Sequence, residues 1–353
     1  MNVEIQRTTQ PGKLPDGDLG FGVHFTDHMA VCEYEEGKGW LHPRVQPRAP
    51  ISLDPAASGL QYGQSIFEGL KIFRGPDGNP FMFRPLDHNR RFATSAQRLC
   101  MPSVDAELWM ALVRALVSTD EKFVPSKPNT SLYLRPTLIG TEGFLGVRPA
   151  KKYLFYVLAS PVGSYWGAGG PRAVRLWIEE HFVRAVHGGM GFAKTGGNYA
   201  ASLKAAEEAK KRGLDQVLWL DGVHRTHIEE IGTMNVFVRT SEGLFTPPLG
   251  DTILPGVTRD TVLKLAKGMG IRAEERAISV AELEAWSKKG ELLEMFGAGT
   301  AAVITPISEL VSERGTIKVG TGGVGELGQK FLHDIAALQR GEAPDPHGWR
   351  VAV

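Results

Sequence analysis

Apolar positions along this chain recur in two rhythms, broken by glycine and proline. Helical spacing runs over residues 86–99 and again over 105–117, where Leu108, Leu112 and the pair Ala115/Leu116 share one face. The same spacing predicts helices at 199–211, 259–268, 280–288 and 327–339. Ser279 followed three residues later by Glu282 has the form of a capping box opening the third of these. Shorter apolar runs predict strands at 131–138, 153–158, 174–178, 216–220 and around 235–239. A hairpin is expected from the run Tyr62 to Phe73, the turn Gly75-Pro76-Asp77-Gly78, and a second arm at 80–84. Residues 1 to 50 read as extended and loop-rich, with one strand-like run, Ala30-Val31-Cys32-Glu33-Tyr34. Strands and helices mix without strict alternation, which favours an α+β architecture over a doubly wound parallel sheet.

The segment 161–171 is dense in Gly and Pro yet carries Tyr165 and Trp166. Flexible tethers seldom need large aromatics, so this stretch reads as a gate as well as a joint, with a plain linker as the alternative. It divides a smaller N-terminal α/β domain, 1–160, from a larger C-terminal domain, 172–353. The length of 353 residues suits such a division.

Composition narrows the class. Apolar residues at 42 % and charged residues at 22 % are ordinary for a globular chain. A net charge of +1 gives no broad basic face for nucleic acid, so any phosphate contact must be local. The two cysteines, Cys32 and Cys100, form neither a disulfide framework nor a CxxC metal site, and reduced, partly buried thiols in a cytoplasmic protein are expected. A polar N-terminus argues against a signal peptide, and apolar runs are too short to cross a bilayer.

Chemistry is concentrated in three places. In Gly191-Phe192-Ala193-Lys194-Thr195-Gly196-Gly197-Asn198-Tyr199, a lysine sits between glycine-rich segments at the entry to a predicted helix. A lysine amine becomes nucleophilic when desolvated or placed near positive charge, although a lysine in such a loop is often simply solvated. Glu230-Ile231-Gly232-Thr233-Met234-Asn235 falls at a predicted turn into a strand. A carboxylate there suits a cofactor with a basic ring nitrogen, while Glu229 and Glu230 as exposed loop charges remain the alternative. Phosphate contacts are suggested by Arg91, by Leu254-Pro255-Gly256-Val257-Thr258-Arg259 ahead of a helix, and by the small-residue turn Gly297-Ala298-Gly299-Thr300-Ala301. Gly320-Thr321-Gly322-Gly323-Val324-Gly325 also fits GxGxxG. The chain that follows is too short for the next strand and ribose-binding acid of a dinucleotide unit, so a turn is expected there.

Together these pieces resemble the fold-type-IV pyridoxal-phosphate enzymes, and within them the branched-chain amino-acid aminotransferases. The resemblance covers almost the whole chain. It includes Phe25-Thr26-Asp27-His28-Met29, the run from Tyr62 to Phe73, Ser131-Leu132-Tyr133-Leu134-Arg135-Pro136, Lys194 to Tyr199, Gln216-Val217-Leu218-Trp219-Leu220, Glu230 to Asn235 and Phe296 to Ala301. It implies a two-domain architecture with the active site between the domains and pyridoxal 5'-phosphate as cofactor. Lys194 would carry the cofactor and shuttle the Cα proton, Tyr199 would bond its phenolic oxygen, Glu230 its pyridine nitrogen and Arg91 its phosphate. Ile231, Thr233, Val257, Thr258 and Thr300 would complete the phosphate cradle.

By the same resemblance, the amides of Ala301 and Ala302 and the Tyr62 hydroxyl would meet the substrate carboxylate. Phe21, Phe67, Tyr133 and Tyr165 would wall the side-chain pocket, and Arg135 would bind the distal carboxylate of glutamate, unless it pairs with an acidic neighbour in its strand. The implied reaction is reversible amino transfer between L-leucine, L-isoleucine or L-valine and 2-oxoglutarate, with ping-pong kinetics. A loop from a second subunit completes the pocket in this family, which implies a homodimer or a higher homo-oligomer. Where some relatives carry CxxC, this chain has Ala302-Val303-Ile304-Thr305, so thiol regulation is not expected there. A D-amino-acid aminotransferase and an aminodeoxychorismate lyase of the same fold are the near alternatives, and a binding protein that kept the fold without catalysis is the distant one. Retention of Lys194 and Glu230 speaks against the last.

Overall fold

A computed structural model describes residues 2–163 and 170–353, so most of the expected 161–171 gate, with Tyr165 and Trp166, lies outside the described residues. The chain divides into two compact units: residues 1–167 with 193–197 and 336–353, and residues 168–192 with 198–335. Sequence pattern carries the C-terminal domain out to residue 353, whereas the last residues group with the first unit. They do so because the strand Arg350–Ala352 pairs antiparallel with Pro80–Phe83, a partner that local pattern cannot indicate.

In chain order the first unit runs β1 (Glu4–Ile5), β2 (His28–Glu35), β3 (Gly39–Pro47), α1 (Ser58–Gln61), β4 (Ser65–Phe67), β5 (Leu70–Arg74), β6 (Pro80–Phe83), α2 (Pro85–Arg98), α3 (Ala106–Thr119), β7 (Ser131–Gly140) and β8 (Lys152–Val162). These strands, with Arg350–Ala352, form one nine-stranded sheet. Its centre is the long antiparallel pair β7 and β8, in register from Ser131↔Val162 to Gly140↔Tyr153. Alternation along β7 decides which face is core. Leu132, Leu134 and Leu138 join a cluster with Phe92, Leu108, Trp109, Leu112 and Leu116 of α2 and α3. Tyr133, Arg135 and Thr137 therefore line the opposite face. Across the ladder, Phe67 pairs with Thr137 and Lys71 with Tyr133, so both point to that same face. Asp105 caps α3 through the Leu108 amide at 2.8 Å.

Residues 1–50 contain more strand than their sequence suggests. The strand β3 pairs with β2 despite Pro43. The register shifts between Val31 and Glu33, opposite His42 at φ 52, so the proline falls in a bulge where its missing N–H costs no ladder bond. The N-terminal segment is tied down by His28. Its Nε2 accepts from the Thr8 amide at 2.9 Å and its Nδ1 lies 2.7 Å from the fully buried Asp120.

The second unit continues with β9 (Val174–Glu179), α4 (Gly196–Lys211) from Asn198 on, β10 (Gln216–Leu220), β11 (Ile228–Ile231), β12 (Met234–Thr240), β13 (Gly243–Thr246), α5 (Val257–Gly268), β14 (Ala273–Glu275), α6 (Val280–Lys289), β15 (Glu294–Gly299), β16 (Val303–Ser312), β17 (Gly315–Lys318) and α7 (Glu326–Arg340) as far as Ile335. Its strands close on themselves. The order β11, β10, β9, β16, β15, β12 returns to its start, because β11 also pairs with β12. Pairings are antiparallel except β9 with β10 and with β16, and one short parallel pair outside the ring, β13 with β14.

Helices cover this ring. Helix α5 and the start of α7 pack Val262, Ala266, Leu327 and Phe331 against Phe237, Phe296 and Ile304. Helix α4 buries Ala205 and Ala209 against Trp177, Val217 and Trp219. Helix α6 opens with the expected capping box, Ser279 Oγ accepting from the Glu282 amide and the Glu282 carboxylate accepting from the Ser279 amide at 2.8 Å. Ser279→Ala is expected to lower unfolding stability by about 1 kcal/mol in a urea titration, and an unchanged midpoint would deny the cap any net contribution. Among the described residues no helix is long and apolar enough to cross a membrane.

Candidate active site

In the first unit, Lys194 is held by its backbone. Its carbonyl accepts from the Phe67 amide at 3.0 Å and its amide donates to Ser95 Oγ at 2.9 Å, while Ser95 donates to the Arg91 carbonyl at 3.0 Å. The side chain is half-buried, with Nζ 4.8 Å from the centre of the Phe67 ring. Arg135 approaches the same ring, its Cζ 4.8 Å from the centre, and its Nη2 donates to the Tyr133 hydroxyl at 3.1 Å. The acidic neighbour weighed for Arg135 is not there: among the described residues no carboxylate pairs with it, and its buried Nε has no hydrogen-bond partner. Phe21 meets the Tyr133 ring edge-on at 5.0 Å. Gly69 makes room for this arrangement, since a Cβ there would lie 1.8 Å from the Tyr133 oxygen. Tyr62, expected to meet a substrate carboxylate, is exposed and donates its hydroxyl to the Leu145 carbonyl.

Arg91, on α2, belongs to a buried ionic knot. Glu68, fully buried, accepts from Arg91 Nε at 2.6 Å and Nη2 at 2.9 Å, from His88 Nδ1 at 2.9 Å and from the Gly69 amide at 3.0 Å. Burial alone would push the Glu68 carboxyl up, but the Arg91 charge and hydrogen bonds, with His88, hold it well below the usual carboxylate range. Burial, with the Arg91 and Arg84 charges, lowers the His88 pKa despite the pull of Glu68. Sequence pattern does not single out Glu68, because its partners are distant in the chain.

The second unit carries Glu230. Strand β11 buries both Glu229 and Glu230, so neither is an exposed loop charge. Oε1 of Glu230 accepts from the Leu254 amide at 2.7 Å and Oε2 lies 3.0 Å from Arg184 Nε. Glu229 Oε2 is buried without a hydrogen-bond partner, and burial raises its pKa. Arg184 escapes sequence reasoning, since a lone arginine in His181-Phe182-Val183-Arg184-Ala185 carries no local pattern.

Helix α5 begins at Val257 with Gly256 at its N-cap and no side-chain cap. A Cβ on Gly256 would lie 2.0 Å from Asn235 Oδ1, so glycine is required there and the helix end is left to backbone donors, which suits an anion. Thr258 and Tyr199 are half-buried, Ile231 is buried and Thr233 is exposed. Thr300, Ala301 and Ala302 form the turn joining β15 to β16. At the helix that the GxGxxG run precedes, Glu294 accepts from the Leu327 and Gly328 amides at the start of α7, at 3.0 and 2.9 Å. Of the two thiols, Cys32 is buried, and Cys100 is exposed rather than partly buried as expected.

The first unit carries an amine, Lys194, and an arginine, Arg91, paired with a buried acid. The second carries a buried carboxylate, Glu230, and a helix end without a side-chain cap. Taken unit by unit, these are groups of the kinds a phosphorylated pyridine aldehyde would use. Residues 65–310 match the family model described as amino-transferase class IV, and the chain belongs to that family. Over 352 residues it is 46 % identical to branched-chain-amino-acid transaminase 1 of Bacillus subtilis, covering 99 % of each chain. It thus falls among the branched-chain-amino-acid aminotransferases. Solved structures agree. The branched-chain amino acid aminotransferase of Escherichia coli superposes with a TM-score of 0.74 at 28 % identity, covering 91 % of this chain and 98 % of that one. A branched-chain amino acid aminotransferase from T.th., with pyridoxamine 5'-phosphate, gives 0.72 at 26 % identity, covering 92 % and 98 %.

Proposed function

We propose that this chain catalyses reversible amino transfer between L-leucine, L-isoleucine or L-valine and 2-oxoglutarate in the cytoplasm, using pyridoxal 5'-phosphate. When bound, the cofactor supplies a ring that accepts the electron pair released at the substrate Cα. Lys194 holds the cofactor through its Nζ, takes the Cα proton and returns it. Glu230 keeps a proton on the ring nitrogen, and Tyr199 bonds the phenolic oxygen. Arg91 and the amides and hydroxyls at Val257, Thr258 and Thr300 hold the phosphate, with Ile231 and Thr233 beside them. Ala301, Ala302 and Tyr62 receive the substrate carboxylate, the last after its hydroxyl leaves the Leu145 carbonyl.

One observation carries the choice of substrates: Lys194 Nζ and Arg135 Cζ both lie 4.8 Å from the centre of the Phe67 ring. An aliphatic side chain packs on Phe67, Tyr133 and Phe21, whereas the distal carboxylate of glutamate reaches Arg135 and pairs with its fork. Arg135→Leu should therefore cut kcat/KM for 2-oxoglutarate about 10- to 100-fold, the worth of one charge-assisted contact, and leave the L-leucine half-reaction within a few-fold. Equal losses in both half-reactions would refute the assignment. Homodimer formation is supported by Leu145 and Val147, 66 % and 88 % exposed in one loop, an apolar pair suited to a second subunit.

A further inference from the structure

Arg184 belongs to none of the groups assigned above, yet its side chain is only 7 % exposed and its three nitrogens reach three different acceptors. Nε lies 3.0 Å from Glu230 Oε2, Nη1 donates to the Thr252 carbonyl at 2.7 Å, and Nη2 donates to the Gly191 carbonyl at 3.0 Å. The last two carbonyls belong to segments pressed together: a Cβ on Gly191 would lie 2.3 Å from the Thr252 oxygen. Phe192 donates to the Asp251 carbonyl at 3.1 Å, and Asn198 Nδ2 to the Met190 carbonyl at 2.8 Å, so the stretch from Met190 to Phe192 is fixed on the same framework. A planar guanidinium spanning three acceptors sets direction as well as charge, which a lysine ammonium would not.

We propose that Arg184 is a positioning residue that keeps the Glu230 carboxylate ionised and aimed at its cofactor partner. The inference rests on the reading of Glu230 as the acid that holds a proton on the cofactor's ring nitrogen. Burial favours the neutral form of a carboxyl, and the buried partners of Glu230 besides Arg184 include an amide N–H and Asn235 Nδ2 at 3.4 Å. Among the titratable groups nearby, Glu229 precedes it on the strand with a pKa raised by burial, and Asp221 acts on Glu229 as a further negative charge. Without Arg184, Glu230 would take up a proton itself and could no longer secure one on the ring nitrogen.

The test uses the holoenzyme and reads the pH midpoint at which its visible absorption band shifts, together with the dissociation constant of pyridoxal phosphate from the apoprotein. A protonated ring nitrogen withdraws charge and makes the attached groups more acidic, so loss of that proton raises the midpoint. Arg184→Gln should raise it by about one pH unit or more, the size of one charge-assisted hydrogen bond, in the same direction as Glu230→Gln. The double variant should match Glu230→Gln alone, because both changes act through one carboxylate. Arg184→Lys keeps the charge without the fork and should move the midpoint upward by less. That variant also decides the matter if the glutamine form does not fold, since an unmoved midpoint there overturns the role of the fork. A midpoint unchanged in Arg184→Gln while Glu230→Gln shifts it, or additive shifts in the double variant, overturns the inference and leaves the role of Glu230 standing. No shift in Glu230→Gln overturns both.

Discussion

Lys194→Ala is expected to abolish amino transfer and the visible absorbance of bound cofactor while leaving the fold intact. General acid–base catalysis by a positioned side chain is worth about 10²–10⁴-fold, and this variant loses the covalent hold on the cofactor as well, so the fall should be at least of that order. The fold should survive because Lys194 is fixed through its amide and carbonyl, to Ser95 and Phe67. Alanine keeps every one of those backbone bonds. Circular dichroism and a denaturant midpoint near wild type, with turnover of L-leucine gone, would match the expectation. Turnover within tenfold of wild type would refute the role given to this lysine.

The largest stability effect should come from Glu68→Gln. It strips the buried Arg91 of the carboxylate that neutralises it, and breaking a buried pair from one side costs about 3–5 kcal/mol. The pH dependence has a definite sign. Glu68 has a folded pKa depressed below 4.5, so its contribution is present above that value and is lost as pH falls below it. His88 is depressed below 6.5, so the folded state also resists its protonation, and that contribution fades as pH falls through 6.5. Wild type should therefore lose stability in two stages on acidification, and Glu68→Gln should lack the one below 4.5. Urea titrations at several pH values would show this, and parallel curves for the two proteins would sink it.

The helices were legible because amphipathic spacing and capping are local. Helix α6 starts where Ser279 and Glu282 place it, and α2 and α3 fall within two residues of their expected ends. Strands were legible only where β-branched or aromatic residues were concentrated, as in Gln216–Leu220, which the sequence bounded without error. Three kinds of strand were hidden. Gly39–Pro47 carries two prolines and a bulge, Ile228–Ile231 has two acids at its centre, and Glu294–Gly299 ends in small residues that resemble a turn. Each is specified by its neighbours across the sheet more than by its own composition. The same distinction governs the site. Lys194, Glu230 and the Gly256 helix end stand in short local motifs that the sequence offers as candidates. Glu68 and Arg184 act through partners far along the chain, at Arg91 in one case and at Gly191, Glu230 and Thr252 in the other.

The order in which the chain visits the two units has a consequence for biosynthesis. The first sheet acquires its outermost strand, Arg350–Ala352, only after every other strand of both units has been made, and the stretch 193–197 is inserted between two parts of the second unit. A nascent chain emerging from the ribosome therefore holds Pro80–Phe83 with one side unsatisfied throughout the synthesis of the second unit. An open strand of that kind is a template for pairing with another molecule. Residues 350–352 thus act as a clasp that ends a period of vulnerability, and deleting them would prolong exposure that synthesis already makes unavoidable.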